Sequence, residues 1–363
     1  MSSLNFKNAS IVVVGGAGFV GSNLVKMLLK DDPSKVVVID NLLSSDVANV
    51  PADARVKFCF ASITSDQGLG AIPADVEYVF HLSCYHGNQS SIADPFADHE
   101  NNTFTSLRLF DRLKDAKSLK KVVYAAAACA VAEKTYDQPT ATTEEQPVSL
   151  VHDSPYSISK LIGELYGNYY HQRYQMPFVK ARFSNVFGPG EILGAGRWRG
   201  TVHTVWRNVC PTFIWKGLHR EALPLDNGGN ASRDFIFVED MARGLMACAM
   251  DGEPGGIYNL ATGNETSILD LATWINEFAG NPTAPDLKPA RDWDRSGKRF
   301  ASTEKSRREL GFDAQVEVRE GLRRTVEWTR ANRELIARTM AAHSKQMQQA
   351  GAPLRPEYFP QGV

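Results

Sequence analysis

The stretch Ile11-Val-Val-Val-Gly-Gly-Ala-Gly-Phe-Val-Gly21 decides the fold. Four consecutive β-branched residues, Ile11 to Val14, read as a strand that is apolar on both faces, as a central parallel strand must be. Three glycines follow at two-residue gaps. Gly15 permits the sharp turn, Gly18 lets the backbone approach a pyrophosphate, and Gly21 lets the next helix pack closely. That helix carries Leu24, Val25, Leu28 and Leu29 on one face, and its N-terminal amides suit a phosphate. A second strand, Lys35-Val-Val-Val-Ile-Asp40, ends in a carboxylate nineteen positions past Gly21. Asp40 at that place accepts hydrogen bonds from an adenosine ribose and repels a 2′-phosphate, which selects NAD over NADP.

Working outward, strand and helix signals alternate: strands at 11–14, 35–39, 56–60, 76–82 and 121–126, helices at 21–30 and 101–115. This is the rhythm of βαβ units and a parallel sheet. Beyond residue 187 it breaks into Gly/Pro-punctuated loops such as Gly188-Pro-Gly190 and Asp226-Asn-Gly-Gly-Asn230, which suit wrapping a ligand. The expected class is α/β: a doubly wound parallel sheet over residues 1–186, with strands at 235–238 and 257–260 (the region 235–262) returning to it. A smaller α+β lobe over 187–340 would bind substrate. Residues 341–363 read as a polar tail that frays or docks on a partner subunit.

At 363 residues the chain exceeds a typical single core, which agrees with two lobes. Forty basic against 41 acidic residues leave a net charge of −1, so neither nucleic acid nor an anionic membrane is an expected partner. No apolar run approaches ~18 residues, and no signal-peptide core follows Met1. The five cysteines are odd in number and scattered, and neither they nor the eight histidines have metal-ligand spacing. A cytoplasmic protein without a metal is expected.

Tyr156 and Lys160 lie four apart in Asp153-Ser-Pro-Tyr-Ser-Ile-Ser-Lys160, at the start of a helix whose buried stripe reads as Ile158, Leu161, Ile162, Leu165 and Tyr169. Pro155 suits the first helical turn. The spacing puts phenol and ammonium on one face, and a nearby ammonium favours phenolate, a usable base. Tyr–Lys neighbours also arise by chance on surface helices; the dinucleotide turn upstream makes the catalytic reading the stronger.

With these motifs the chain resembles the extended short-chain dehydrogenase/reductase superfamily, in particular its nucleotide-sugar epimerases and dehydratases. The resemblance spans nearly all of residues 8–330. It rests on Gly-Gly-Ala-Gly-Phe-Val-Gly (15–21), Asp-Asn-Leu (40–42), His-Leu-Ser-Cys (81–84), Tyr-x-x-x-Lys (156–160) and Arg-x-x-Asn-Val-Phe-Gly-Pro (182–189). Arg-Asp-Phe-Ile-Phe-Val (233–238), Arg-Asp-Trp-Asp (291–294) and Gly-Leu-Arg-Arg-Thr-x-x-Trp (321–328) add to it. It implies a Rossmann-like domain, NAD as cofactor, and a homodimer formed through the helices near 101–115 and 155–173. Tyr156 is then the acid/base and Lys160 its partner on the nicotinamide ribose. Gly15, Gly18, Phe19, Val20, Gly21, Asp40, Asn41, Ser62, Ile63, Leu82 and Ser83 are the implied NAD contacts. Asn185 is implied at the substrate phosphate, and Arg233 and Arg291 as a guanidinium clamp on the diphosphate. Asp294 is implied near the nucleoside. Cys84, Tyr85, His86 and Gln89 lie on a loop that faces the sugar in relatives, and His81 packs or hydrogen-bonds under the cofactor.

Several departures bear on the reaction. Relatives place a Ser or Thr hydroxyl beside the tyrosine after the fourth main strand. Here the tract is Tyr124-Ala-Ala-Ala-Ala-Cys-Ala-Val-Ala132, and the position falls on Ala127 or Ala128. Either another group substitutes, or the enzyme is slow or inactive, or the stretch has been altered. Cys129 is one candidate substitute, in a tract that resembles the Ala-Cys turn of GDP-mannose 3,5-epimerases. Those enzymes also use a lysine in the following loop, but Glu191-Ile-Leu-Gly-Ala-Gly-Arg-Trp-Arg-Gly200 offers only arginines as cations, which are poor bases. Dehydratases carry a carboxylate after the Ser/Thr; none lies between Ala125 and Ala132, and Glu133 comes too late, which disfavours elimination. Ser62 replaces the usual adenine-contacting Asp. Arg299, or Lys298 in a shifted register, is a cation where relatives gate the sugar, which points to a uronic acid.

The expectation is an NAD-dependent epimerase acting on a nucleotide sugar, at C4 of a UDP-sugar (a uronic acid or amino sugar among the options), in surface-polysaccharide (lipopolysaccharide) precursor synthesis. A 3,5-epimerase type using Cys129 and a catalytically impaired NAD- or sugar-binding protein are the alternatives.

Overall fold

The β-branched run at the N-terminus forms strand β1 (Ser10–Val14), and all five of its residues are buried. The computed structural model describes residues 5–128, 137–290 and 297–359. In chain order the main strands are β1, β2 (Lys35–Asp40), β3 (Val56–Phe60), β4 (Tyr78–His81), β5 (Lys121–Ala127), β6 (Phe178–Phe183) and β7 (Ile257–Leu260). They form one seven-stranded sheet in the order β7-β6-β5-β4-β1-β2-β3. Every pairing in it is parallel. This is a Rossmann-like α/β fold. Val12 lies opposite Val37 on one side and Val79 on the other.

The helices that position the site are α1 (Phe19–Leu28), α2 (Thr105–Leu113), α3 (Pro155–Tyr174), α4 (Val209–Leu218), α5 (Val238–Asp251), α6 (Ile268–Ala279), α7 (Val318–Ala331), α8 (Arg333–Ala341) and α9 (Ser344–Gln349). Alternate residues of each strand feed opposite cores, as the two-residue period of a strand requires. Ile11, Val13, Val36 and Val38 pack with Leu24 and Leu28 of α1 and Met241 and Leu245 of α5. Val12, Val14, Val37 and Ile39 pack with Leu109 and Phe110 of α2 and with Tyr124 and Phe178. Each such side chain taken from water contributes about 1.5–3 kcal/mol.

Helix α3 departs from the sequence expectation. Ile158, Leu165 and Tyr169 are 45%, 57% and 51% exposed, not buried. The buried face is instead Ser157, Lys160, Gly163, Glu164, Gly167 and Tyr170. A β-carbon at Gly163 would overlap the Tyr124 side chain, and one at Gly167 the Phe178 ring. The helix therefore approaches the sheet through glycines seated on aromatic rings. Glu164 joins this face because it holds Arg182 of β6 in a two-pronged ion pair, Nε to Oε1 at 3.0 Å and Nη2 to Oε2 at 2.9 Å.

The two later strand segments behave differently from one another. Residues 257–260 join the main sheet as β7 beside β6. Residues 235–237 do not; they pair with Asn185–Phe187 in a separate two-stranded parallel sheet. Their alternation explains this: Ile236 enters the first core, while Phe235 and Phe237 enter a further core with Phe187, Ile214, Leu271, Ile275 and Leu322. That core joins α4, α6 and α7.

Up to residue 359 the C-terminal segment packs on its own chain. Ile336, Met340, Met347 and Tyr358 are buried against Ile192, Leu193 and Trp215 of the same chain. Thr339 Oγ1 donates to Leu193 O at 2.7 Å, and His343 Nε2 lies 2.9 Å from Gly194 O. Among the described residues no helix is long and apolar enough to cross a membrane, and no His/Cys/Asp/Glu group could hold a metal ion.

Candidate active site

The carboxyl ends of the strands open into a cavity of about 790 Å³, walled by residues of both halves of the chain. It lies where the strand order reverses between β1 and β4, the place at which open parallel sheets bind ligands. The turn after β1 forms its floor. Gly15 has φ +83°, and a β-carbon there would come within 2.5 Å of the Ser83 backbone nitrogen. A β-carbon at Gly21 would overlap the Gly15 carbonyl, so turn and helix touch backbone to backbone. No side chain caps the start of α1 and no acidic residue lies in its first turn. Its first amides are left for an anion, and the helix itself adds no acidic side chain beside them.

Asp40, at the end of β2, is 8% exposed and lines the cavity. Its carboxylate accepts from Leu42 N at 2.8 Å, Ser45 Oγ at 2.9 Å and Ala17 N at 3.0 Å. Burial pushes its pKa up, and those hydrogen bonds pull the other way. It thus braces the glycine turn, and a carboxylate has further lone pairs for a ribose. Phe19, Val20, Asn41, Ser62, Ile63, Leu82 and Ser83 line the same cavity. His81 is fully buried, 3.0 Å from Ser106 Oγ and 3.3 Å from Ser83 Oγ. Burial, helped by the Lys160 charge, lowers its pKa to about 3, so the ring is neutral.

The opposite wall comes from α3 and β5. Ser154 caps α3, accepting from Ser157 N at 3.3 Å, and Pro155 opens the helix. Tyr156 and Lys160 both face the cavity. Lys160 is 4% exposed; its Nζ donates to Ala125 O at 2.9 Å and lies 5.9 Å from the Tyr156 ring centroid. Ala125 to Ala128 line the wall beside it without a hydroxyl. Cys84, His86, Gln89, Asn185, Arg233 and Arg299 also reach the cavity. Arg233 Nη1 donates to Ser232 O at 2.7 Å and Gly297 O at 2.6 Å. Cys129, Arg291 and Asp294 lie outside the described residues.

Against this geometry, residues 11–261 match the model of the NAD dependent epimerase/dehydratase family. The chain belongs to that family. NAD is therefore its cofactor, and the glycine turn, uncapped α1 and Asp40 fit a dinucleotide. Among members of this epimerase/dehydratase family, a UDP-glucose 4-epimerase of Mycolicibacterium smegmatis is 31% identical, over 88% of this chain and 98% of its own. The Bordetella bronchiseptica enzyme WbmF, solved in complex with NAD+ and UDP, is 58% identical, covering 95% of this chain and 99% of its own, with a TM-score of 0.86. A trifunctional UDP-glucose 4,6-dehydratase/epimerase/reductase of Arabidopsis thaliana is 22% identical over 98% of this chain, which spans only 52% of that longer protein.

One expectation for this family site is corrected. Tyr85 does not line the cavity: it is 3% exposed, takes the Asn102 carbonyl on its N–H at 2.7 Å, and points its hydroxyl at Arg199 O, 3.5 Å away. Its ring lies 5.7 Å from the Arg199 guanidinium, which keeps it in the protein interior. Glu191 and Arg207 are among the cavity residues that escaped sequence reading. Glu191 is 6% exposed, accepts from Asn208 Nδ2, and burial pushes its carboxyl up to about 7 against that bond and the Arg207 charge. Arg207 donates to Ser44 O at 2.8 Å and Ala195 O at 2.6 Å; burial, with Arg199 nearby, pulls it down to about 9. A carboxylate directly after Gly188-Pro-Gly190 was the one available signal for Glu191.

Proposed function

We propose that this chain interconverts the C4 epimers of a UDP-linked sugar. The observation that carries the reading is that Tyr156 and Lys160 share one cavity wall facing the glycine turn, with only alanines at the end of β5. That set supplies an acid/base next to a hydride carrier but no carboxyl at the place from which relatives drive elimination. The similarity to a UDP-glucose 4-epimerase along nearly its whole length supports the choice. So does the UDP bound to WbmF.

Bound NAD supplies a hydride acceptor that becomes a donor within the same turnover. Tyr156 takes the C4 hydroxyl proton and later returns it. Lys160 keeps an ammonium beside the phenolate while Ala125 O anchors it. The uncapped amides of α1 hold the cofactor pyrophosphate, and Arg233, joined by Arg291, binds the substrate diphosphate. Between the two proton transfers the keto-sugar must present its other face, and the cavity of about 790 Å³ leaves room for that. Arg299, which also lines the cavity, supports a sugar that carries a carboxylate. An activated sugar of this kind is what polysaccharide-building transferases consume.

The apolar residues that α3 leaves outside, with Phe96 at 85% and Phe104 at 40% exposure nearby in sequence to α2, support a homodimer through these helices. A panel of UDP-, dTDP-, GDP- and CDP-sugars, assayed for epimer formation, tests the reaction. Tyr156→Phe is expected to lose at least ~10²-fold in kcat. Full activity of that variant sinks the mechanism.

A further inference from the structure

The alanines at the end of β5 leave a gap in the chemistry that another part of the cavity can fill. Strands β4 and β5 are neighbours, so the loop after β4 lies alongside the tract where the hydroxyl is missing. That loop carries His86. Its ring lies 6.1 Å from the Tyr156 ring, centroid to centroid and tilted by 49°, and both residues line the cavity. Its Nδ1 is shielded from water and has no hydrogen-bond partner among the described residues. His86 as a whole is half-buried and lines the cavity through its other atoms, while Nδ1 faces the protein.

The position of His86 relative to Tyr156 is held from several directions. Arg199, 4% exposed, donates from Nη1 to His86 O at 2.8 Å. One residue earlier, Tyr85 N–H donates to Asn102 Oδ1, and Asn102 Nδ2 reaches Ser159 Oγ on α3 at 3.2 Å. Asn102 sits in a π-helical turn, His99–Phe104, a deviation common where a side chain must be aimed. A few residues later, Ser91 Oγ accepts the Tyr156 N–H at 3.1 Å. Loop and catalytic helix are thereby pinned together on both sides of His86. Burial, with Arg199, Arg207 and Lys160 as the surrounding charges, brings the His86 pKa down to about 3. The ring is neutral and carries one N–H.

Resting on the reading of Tyr156 as acid/base, we propose that His86 is a catalytic residue that hydrogen-bonds the sugar's reacting oxygen, replacing the hydroxyl absent from Ala127 and Ala128. The neutral ring donates its N–H to that oxygen as the hydroxyl becomes a carbonyl. The proton itself still passes to Tyr156, so His86 needs no change of charge. An aimed donor of this type stabilises the developing charge more than the bound ground state.

The test uses the NAD-loaded full chain and the most active sugar of the nucleotide-sugar panel, read by reduction of bound nicotinamide at 340 nm and by steady-state turnover. His86→Phe is expected to lower kcat by about 10²-fold, the size of effect for one aimed donor, and to raise KM because the same hydrogen bond also holds the bound sugar. His86→Gln, which keeps an N–H, should retain more. Adding Ala127→Ser or Ala128→Ser to His86→Phe should restore part of the loss. A His86→Phe enzyme of wild-type kcat overturns the proposal, and so does a loss that neither Gln nor a restored hydroxyl repairs. A second readout separates this proposal from the C4 reaction: thermal stabilisation by UDP-glucose beyond that given by UDP. If sugars bind without being oxidised, the C4 reading fails while the sugar-dependent gain should still vanish in His86→Phe. A gain unaffected by that substitution, or no gain from any sugar in the wild type, overturns the role of His86.

Discussion

Helices α1 and α3 flank opposite faces of the same sheet and reach it by opposite means. Helix α1 packs through Leu24, Val25 and Leu28, all fully buried, as its apolar spacing predicts. Helix α3 packs through Gly163, Gly167 and the Glu164–Arg182 pair, while Ile158, Leu165 and Tyr169 stay outside. An apolar stripe thus predicts the sheet-facing side of α1 and not that of α3. On α1 the stripe meets the chain's own sheet. On α3 the sheet takes the small-residue face, and Ile158, Leu165 and Tyr169 stay exposed on the single chain.

The largest expected effect tests the polar side of this contrast. Glu164→Ala leaves Arg182 buried without its carboxylate and should cost about 3–5 kcal/mol in urea unfolding. Replacing both partners together, Glu164→Leu with Arg182→Met, should recover most of that. If the single change costs less than ~1 kcal/mol, α3 is held by its glycine contacts and the contrast narrows.

A second effect extends the contrast to the loop that roofs the cavity. The Glu191 carboxyl has its folded-state pKa raised to about 7 by burial, so the folded chain binds this proton more tightly than the unfolded one. Its contribution is fully present below the unfolded value near 4.5 and is lost as pH rises through about 7. The loss is on the order of 3 kcal/mol. Glu191→Gln should flatten the fall in urea midpoint between these pH values. An unchanged slope would show that Glu191 is already paired or hydrated.

The smallest effect on the fold should come from the exposed stripe. Leu165→Glu is expected to alter the stability of the single chain by no more than about 0.5 kcal/mol, because the site is on the surface. In light scattering it should convert a dimer into a monomer. A wild type that is already monomeric removes the explanation offered for the stripe.

Legibility followed the range of the interactions. Strand β1, the glycine turn, Asp40 and the Tyr156–Lys160 spacing are each settled within a few residues, and the structure sets them around one cavity. The pattern at 235–238 points back to the first lobe, and Ile236 does enter its core, while Phe235 and Phe237 lie in the further core beside Phe187. The polar-looking tail hid Met347 and Tyr358, which share a buried cluster with Ile192, Leu193 and Trp215 from more than a hundred positions away. Tyr85 sits between two loop residues that face the cavity, and its contacts with Asn102 and with Arg199, more than a hundred positions away, lie on the inward side.

By itself, the sequence determined the sheet, its dinucleotide turn and the placing of Tyr156 and Lys160 one helical turn apart, because backbone sterics, strand alternation and helical spacing are local properties. Only the tertiary structure decided which face of α3 meets the sheet, that Glu191 and Arg207 reach the cavity, and that His86 stands beside Tyr156 where the alanines lack a hydroxyl. Those outcomes depend on volumes and charges brought together from distant segments, and no short spacing in the chain encodes them.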